Sequence, residues 1–273
     1  MTQITNLAPG TPGGGGRSMI AAIASNQYVL GALSVVAFFA VWQVVSMNVP
    51  PIILPAPAQV IEAFFQLTAS GELVRATGQT LWPFAIGLTL AFIVGTTLGL
   101  ILGIVRPAAR VLDPYIFVFW SIPNIAWLPL FIAWFGVGNL TLVIFVFVSA
   151  VFPQLLTVES GAKEADSFLV EVARSLGGTK REILHIVVLP SALPYIFAGL
   201  RIAVGRALVG IIVGQLLIVA TGIGYMFQFY GETLSLAKYF APLIVIALLA
   251  VLLNRGVNWA ERVLIPWKQR AFT

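Results

Sequence analysis

Six apolar runs, each near twenty residues long, constrain this chain more than any other feature. They cover 28–46, 81–105, 115–135, 140–158, 195–219 and 239–259. A helix needs about 20 apolar residues to cross the hydrocarbon core of a bilayer. Inside that core every backbone N–H and C=O must be satisfied within its own segment. The runs therefore predict an all-α integral membrane fold with six transmembrane helices. Composition agrees: 59% of residues are hydrophobic, 9% are charged and mean hydropathy is +0.99, beyond the range of a soluble domain.

Residues 1–26 are polar and Gly-rich, with Gly13 to Gly16 consecutive, and read as a disordered tail. The run at 28–46 exceeds the apolar core of a signal peptide, and Ser46-Met47-Asn48-Val49-Pro50 offers no small-residue cleavage site. We read it as an uncleaved first span. The expected organisation is a cytoplasmic tail at 1–26 and one transmembrane domain at 27–273.

Retained cytoplasmic loops carry the excess of Lys and Arg. With the N-terminus inside, Arg17, Arg106, Arg110, Lys163, Arg174, Lys180, Arg181, Arg255, Arg262, Lys268 and Arg270 fall on the inner side. Arg75 and Lys238 alone fall outside, and Arg201 and Arg206 lie within the fifth span. Both termini are expected in the cytoplasm. The net charge of +5 follows from these loops, and no basic patch interleaved with aromatics points to nucleic acid. Cysteine is absent, which removes disulfides and thiolate chemistry.

The second span carries Gly87, Ala91, Gly95, Gly99 and Gly103, a small residue at every fourth position that lets another helix approach closely. Gly136-Val137-Gly138-Asn139 separates the third and fourth spans, predicting a tight antiparallel hairpin. Prolines at 114, 123, 129 and 153 interrupt those two spans, which lipid tolerates only where freed backbone groups face protein or a wet cavity. Ser121-Ile122-Pro123-Asn124 is the expected broken, pathway-lining segment. Trp120, Trp127 and Trp134 would share one face of a continuous third span. Arg201 is expected to snorkel to the inner interface, whereas Arg206 and Gln215 lie deeper and are expected to line the pathway. On the outer side, 59–67 reads as a short amphipathic helix on the interface.

Catalytic chemistry is sparse. The sole histidine, His185, has no carboxylate or hydroxyl constellation around it in sequence. Gly177-Gly178-Thr179-Lys180 lacks the GxxxxGK[ST] pattern of a phosphate loop. No Asp or Glu lies centrally in a span, so a proton relay has no members there. Charge is concentrated instead in an island: Glu159 to Glu182 holds nine of the 25 charged residues. Leu169, Val172 and Leu176 give a short helix one apolar stripe. Gly177-Gly178 stops that helix, Thr179 and Glu182 form a capping box for a second, and Pro190 ends it. Two amphipathic helices joined by a bend suit a partner's groove better than they suit catalysis.

Glu171-Val172-Ala173, Gly177 and Val187-Val188-Leu189-Pro190 resemble the EAA-x3-G-x9-I-x-L-P loop of permease subunits of bacterial ABC importers, with Val172 and Val187 as mild departures. Residues 50–267 are similar to the sulfonate, taurine and nitrate branch. ILPAPAQVIEAF, LDPYIFVFWSIPNIAWLPLFIAWFGVG, EVARSLGGTKREILHIVVLPSALPYIFAGLRIAVGRA and GIGY at 222–225 carry the likeness. The resemblance implies a type I importer fold with cytoplasmic coupling helices at about 159–190. It also implies a bacterial inner-membrane location and a second copy of the permease. The further partners it implies are two cytoplasmic ATPase subunits that hold ATP and Mg, and an extracytoplasmic solute-binding protein. This chain itself would hold no cofactor and catalyse nothing. Glu171, Ala173, Arg174, Gly177, Gly178, Leu189 and Pro190 would dock on the ATPase. Ser121, Pro123, Asn124, Arg206 and Gln215 would line the pathway for a small anion such as a sulfonate, nitrate, bicarbonate or organic acid. That branch commonly has an acidic residue at the position of Gln215, so the neutral amide is a departure. A secondary transporter for a small anion is the alternative, but the internal repeats and midplane ionisable groups of that class are missing. A purely structural membrane protein would leave the proline-broken spans without a purpose.

Overall fold

The computed structural model describes residues 27–165 and 167–266. The tail at 1–26 and the basic residues Arg17, Lys268 and Arg270 lie outside them. The chain divides into two compact units, Met1–Gln59 and Val60–Thr273.

In the first unit, α1 (Gln27–Met47) is exposed along nearly its whole length, as a lipid-facing helix would be. Phe39 stacks on Trp42, whose indole N–H donates to the Pro55 carbonyl at 3.0 Å and folds the following loop back.

The second unit begins within α2 (Pro57–Ala69) and continues through α3 (Glu72–Ile104), α4 (Arg106–Ser121), a 3-10 turn (Asn124–Trp127), α5 (Leu128–Phe135) and α6 (Asn139–Lys163). Next come α7 (Ser167–Ser175), α8 (Lys180–Ile183), a π-helical stretch (Leu184–Val188), α9 (Leu189–Leu217), α10 (Gly222–Glu232) and α11 (Leu236–Leu264). Among the described residues, α1, α3, α6, α8–α9 and α11 are each long and apolar enough to span a bilayer, and α4–α5 forms a sixth, bent candidate.

Helix α6 is the axis of this unit, with α3 on one side and α9 on the other; 61% of its apolar window is buried. The glycine stripe explains the closeness. A Cβ on Gly87 would sit 2.7 Å from Val146, one on Gly95 2.9 Å from Gln154, one on Gly99 2.8 Å from Val158, and one on Gly103 2.4 Å from Ala162. The period of four on α3 therefore meets a period of four on α6, the geometry expected of the stripe. Helix α9 uses Gly199, Gly210 and Gly214 in the same way against Gln154, Ser149 and Leu142. Gln154 sits where the three helices meet and donates to Thr96 Oγ1 at 2.9 Å and to the Ile196 carbonyl at 3.3 Å.

The third span is not the continuous helix over 115–135 that its apolarity suggests. Ile122 is extended (φ −74°, ψ 125°) because the residue before a proline is pushed out of the α region, and Pro123 has no N–H to continue the ladder. The chain bends by 91° between α4 and the segment 124–135. The three tryptophans consequently share no face. Trp120 tilts against Phe152, Trp127 stacks between Phe119 and Phe131, and Trp134 lies against Phe131 and Phe135. The hairpin into α6 forms as expected, turning at Gly136 in the left-handed region (φ +75°).

One further expectation needs correction. Pro190 does not end the second island helix. The backbone widens to a π turn, Leu189 N–H bonds to the Leu184 carbonyl, and Pro190 lies in the first turn of α9. A wider turn accommodates the missing N–H and the ring. The Arg201 guanidinium pairs with Glu261 of α11. Between α9 and α11 the chain forms α10. Near α2, Leu67 and Phe64 join Ile223, Met226 and Tyr230 in one cluster while Ile61 and Phe65 stay exposed.

Candidate functional site

The bend of the island is built as its sequence specifies. Helix α7 ends in a Schellman turn: Gly178 N–H donates to the Ala173 carbonyl at 2.9 Å and Gly177 N–H to the Arg174 carbonyl at 3.0 Å. Gly177 is left-handed (φ +84°), and a Cβ on Gly178 would lie 2.7 Å from the Ala173 oxygen. Both glycines are thus needed for the bend. Thr179 N–H donates to Glu182 Oε2 at 2.7 Å and Glu182 N–H to Thr179 Oγ1 at 3.3 Å, a closed capping box. The bend opens an apolar groove of about 450 Å³ between α7 and the π stretch, lined by Leu169, Val172, Ala173, Leu176, Ile186, Val187, Pro190 and Ser191. Leu176 is 83% and Ile186 71% exposed on its rims. Glu171 and Arg174 lie exposed on α7 outside the groove lining, and Leu189 is half-buried away from it. His185 is exposed on the π stretch.

At the root of the island, Lys163 lies 3.5 Å from Asp113 of α4 and also pairs with Glu159 one turn back on α6. Gly161 lies against the ring of Tyr195, whose hydroxyl bonds to Glu164. These contacts tie the island to the helix that leads into the break.

At the break itself is a cavity of about 480 Å³, lined by Trp120, Ser121, Ile122, Pro123, Asn124, Ile125, Phe145, Ser149, Arg206, Val209, Gly210 and Val213. Ser121, Pro123, Asn124 and Arg206 are thereby brought together from two parts of the chain. The Arg206 guanidinium lies over the Trp120 ring, 5.7 Å from its centroid.

Gln215 does not join them. It is 1% exposed and holds the N-terminus of α10. Gly224 N–H donates to Gln215 Oε1 at 3.1 Å, Ile223 N–H to Thr80 Oγ1 at 2.9 Å and Gly222 N–H to Gln79 Oε1 at 3.1 Å. The Thr80 hydroxyl also lies 2.9 Å from Gln215 Oε1. Three side chains from two helices thus satisfy the first three N–H groups of α10, which no residue of α10 could do. Tyr230 ties the same helix to α3 by donating to Glu72 at 2.8 Å. Burial, and then that bond, push its phenol above the ordinary range.

The family model for binding-protein-dependent transport system inner membrane components matches residues 95–270, a stretch that holds the island, the break and the cavity. The chain belongs to this family. It is 30% identical over 250 residues to the taurine transport system permease protein TauC of Escherichia coli (strain K12), covering 89% of this chain and 91% of that protein. It is 34% identical over 234 residues to the putative aliphatic sulfonates transport permease protein SsuC of the same strain, covering 85% and 89%. The nitrate import permease protein NrtB of Synechocystis sp. (strain ATCC 27184 / PCC 6803 / Kazusa) is 28% identical over 258 residues, covering 91% of this chain and 93% of that protein. Among solved structures, an inward-facing MetNI methionine ABC transporter chain superposes with a TM-score of 0.61 at 23% identity, over 70% of this chain and 95% of that one. An amino acid ABC transporter chain gives 0.55 at 19%, over 74% and 97%. The fold is that of a type I ABC importer permease.

For a member of this transport family, the missed residues are those that act at long range in sequence. Gln79 and Thr80 sit 135 residues or more from the groups they bind, and nothing in their local pattern marks them. Ser149 and Phe145 enter the cavity only because α6 passes behind the break. A glutamate in place of Gln215 would present the same Oε acceptor to Gly224 N–H and Thr80.

Proposed function

We propose that this permease forms half of a translocation pore with a second copy of itself and is driven by two separate ATPase subunits that bind ATP and Mg. Hydrolysis on another chain explains why this one carries an island with no catalytic set. The observation that carries the reading is the apolar groove at the Schellman bend. Burying a leucine or isoleucine side chain is worth about 1.5–3 kcal/mol, and Leu176 and Ile186 leave most of that unrealised here. A partner surface that covers the groove recovers it, with Glu171, Ala173, Arg174, Gly177, Gly178, Leu189 and Pro190 forming or supporting the docking element. Bilayer lipid covers the exposed flanks of α1 and α11, and the termini and island face the cytoplasm.

Movement of the island reaches the pathway through a continuous helix. Arg181 to Leu217 is 37 residues with no break, about 55 Å of rod at 1.5 Å per residue. Arg206 sits on that rod and faces the cavity at the break, where Ser121, Pro123 and Asn124 form the other wall. ATP binding would bias two packings of similar free energy, and the cavity would open alternately to either side. A solute-binding protein outside would deliver the solute. The lone cation of the cavity and the likeness to taurine, sulfonate and nitrate permeases support a small anion.

Gly177→Asp and Leu176→Asp test the reading. Each is expected to abolish co-purification of the ATPase and ATP-driven uptake while leaving the amount of membrane-inserted permease unchanged. Uptake that survives both changes, or that follows a proton or sodium gradient after ATP depletion, would refute it.

A further inference from the structure

Helix α11 carries two arginines on the face it turns away from the protein. Ala250, Leu253 and Val257 pack against the core, and Glu261 pairs with Arg201 of α9. Leu248, Val251, Leu252, Arg255, Trp259 and Arg262 lie on the other side, and all six are exposed. At 3.6 residues per turn they fall within one sector of about 100°. Neither Arg255 nor Arg262 makes an ion pair among the described residues. An aliphatic strip thus runs into a tryptophan flanked by two uncommitted cations.

The length of the helix decides what these cations meet. Lys238, the charge at the opposite end of α11, lies over the Tyr230 ring, 5.9 Å from its centroid, and is held there beside α10. Arg255 follows it by 17 residues, about 26 Å of helix. The hydrocarbon core is about 30 Å thick, and any tilt shortens the projected rise further. With Lys238 at one boundary, Arg255 stops short of the other. A lipid-facing charge at that depth is costly without a partner, and the carboxylate nearest in sequence, Glu261, is committed to Arg201. The Arg255 guanidinium therefore extends along the helix toward the interface, where lipid phosphates lie. Arg262 lies about 10.5 Å further along the same face, at headgroup depth, and Trp259 between them suits the interfacial belt. Two cations with no carboxylate favour a headgroup of net negative charge over a zwitterionic one. Resting on the lipid-facing reading of α11 above, we propose that Arg255, Trp259 and Arg262 form a binding site for an anionic glycerophospholipid. Its phosphate sits between the two guanidinium groups, and an acyl chain lies along Leu248, Val251 and Leu252.

Quenching of Trp259 fluorescence by brominated lipids tests this. The full chain is placed in phosphatidylcholine nanodiscs with increasing dibrominated phosphatidylglycerol, or dibrominated phosphatidylcholine, and the signal of Trp259→Phe is subtracted to isolate Trp259. Phosphatidylglycerol is expected to be preferred about fivefold per arginine, hence about thirtyfold for the pair. Arg255→Gln or Arg262→Gln should each reduce the preference to about fivefold, and the double substitution should abolish it. Quenching by brominated phosphatidylcholine should persist in all three, showing that α11 still folds and still faces lipid. Arg106→Gln, at an exposed arginine of α4, controls for general surface charge and should leave the preference unchanged. Excess inorganic phosphate should not reverse it. Equal quenching by the two lipids, a preference that survives the double substitution or disappears in Arg106→Gln, or reversal by free phosphate would each overturn the site while leaving α11 in lipid. If neither lipid quenches Trp259, protein covers this face, whether a second copy or another chain, and the lipid-facing reading falls with the site.

Discussion

Replacing Gln215 with leucine isolates the contribution of the polar lock at the start of α10. Leucine matches glutamine closely in volume, so packing around the site is conserved to first order. The Thr80 hydroxyl loses one acceptor but keeps the Ala76 carbonyl at 2.9 Å. Gly224 N–H loses Gln215 Oε1 and, in the first turn of α10, has no intrahelical carbonyl to replace it. One buried donor is therefore orphaned, at a cost of about 1–3 kcal/mol. For a chain of this size that corresponds to a Tm drop of roughly 2–4 °C per kcal/mol. Gln215→Glu keeps the acceptor and gives up only the long 3.5 Å contact from Nε2 to the Gln79 carbonyl, so it should fall much less. Thermal unfolding in nanodiscs gives the first readout. Hydrogen exchange of residues 222–226 gives the second, with protection lost in Gln215→Leu and kept in Gln215→Glu. If Gln215→Leu leaves both unchanged, or if the glutamate variant loses uptake while the leucine variant transports normally, the residue faces the solute and our assignment is wrong.

Other substitutions probe the remaining contacts. Gly103→Leu places side-chain atoms where a Cβ alone already comes within 2.4 Å of Ala162, and overpacking of this kind should cost about 1–3 kcal/mol, seen as a lower Tm. Gly178→Ala drives a methyl against the Ala173 carbonyl, so ATPase co-purification should fall although the spans stay folded, as far-ultraviolet circular dichroism would report. Arg201→Glu should destabilise by opposing Glu261, and the double exchange with Glu261→Arg should recover most of the loss; a double-mutant cycle that shows no coupling would contradict the α9–α11 pairing. Gly222→Ala should lower Tm, since its left-handed backbone (φ +81°) and the Gln215 amide 2.1 Å from a new Cβ both oppose a side chain.

Local rules made much of the molecule readable. Thr179 and Glu182 sit three apart, Gly177 and Gly178 follow a helical stripe, and Pro123 interrupts an apolar run; each of these acts within a few residues, and the structure realises each. The spacing of Gly87, Gly95, Gly99 and Gly103 revealed a close seam because period and helix pitch coincide, although only the fold shows that α6 fills it. Gln215 could not be read correctly, because its meaning depends on Thr80, which is 135 residues away. A polar residue in an apolar run signals that a partner exists without saying whether that partner is solute or protein. The π stretch at Leu184–Val188 escaped for a different reason. Proline as a helix terminator is a rule for regular α-helix, and a widened turn evades it.

The paired rows of α3 and α6 have a consequence for how such a chain can change over time. Gly87 faces Val146, Gly95 faces Gln154, Gly99 faces Val158 and Gly103 faces Ala162, so the available volume belongs to each pair and not to either residue. A larger side chain on one helix becomes admissible only once its opposite number has shrunk. Sequences that share this seam should drift by reciprocal exchange across it, one rung at a time. The rung at Gly95 and Gln154 should be the slowest, because Gln154 also answers to Thr96 and to the backbone of Ile196.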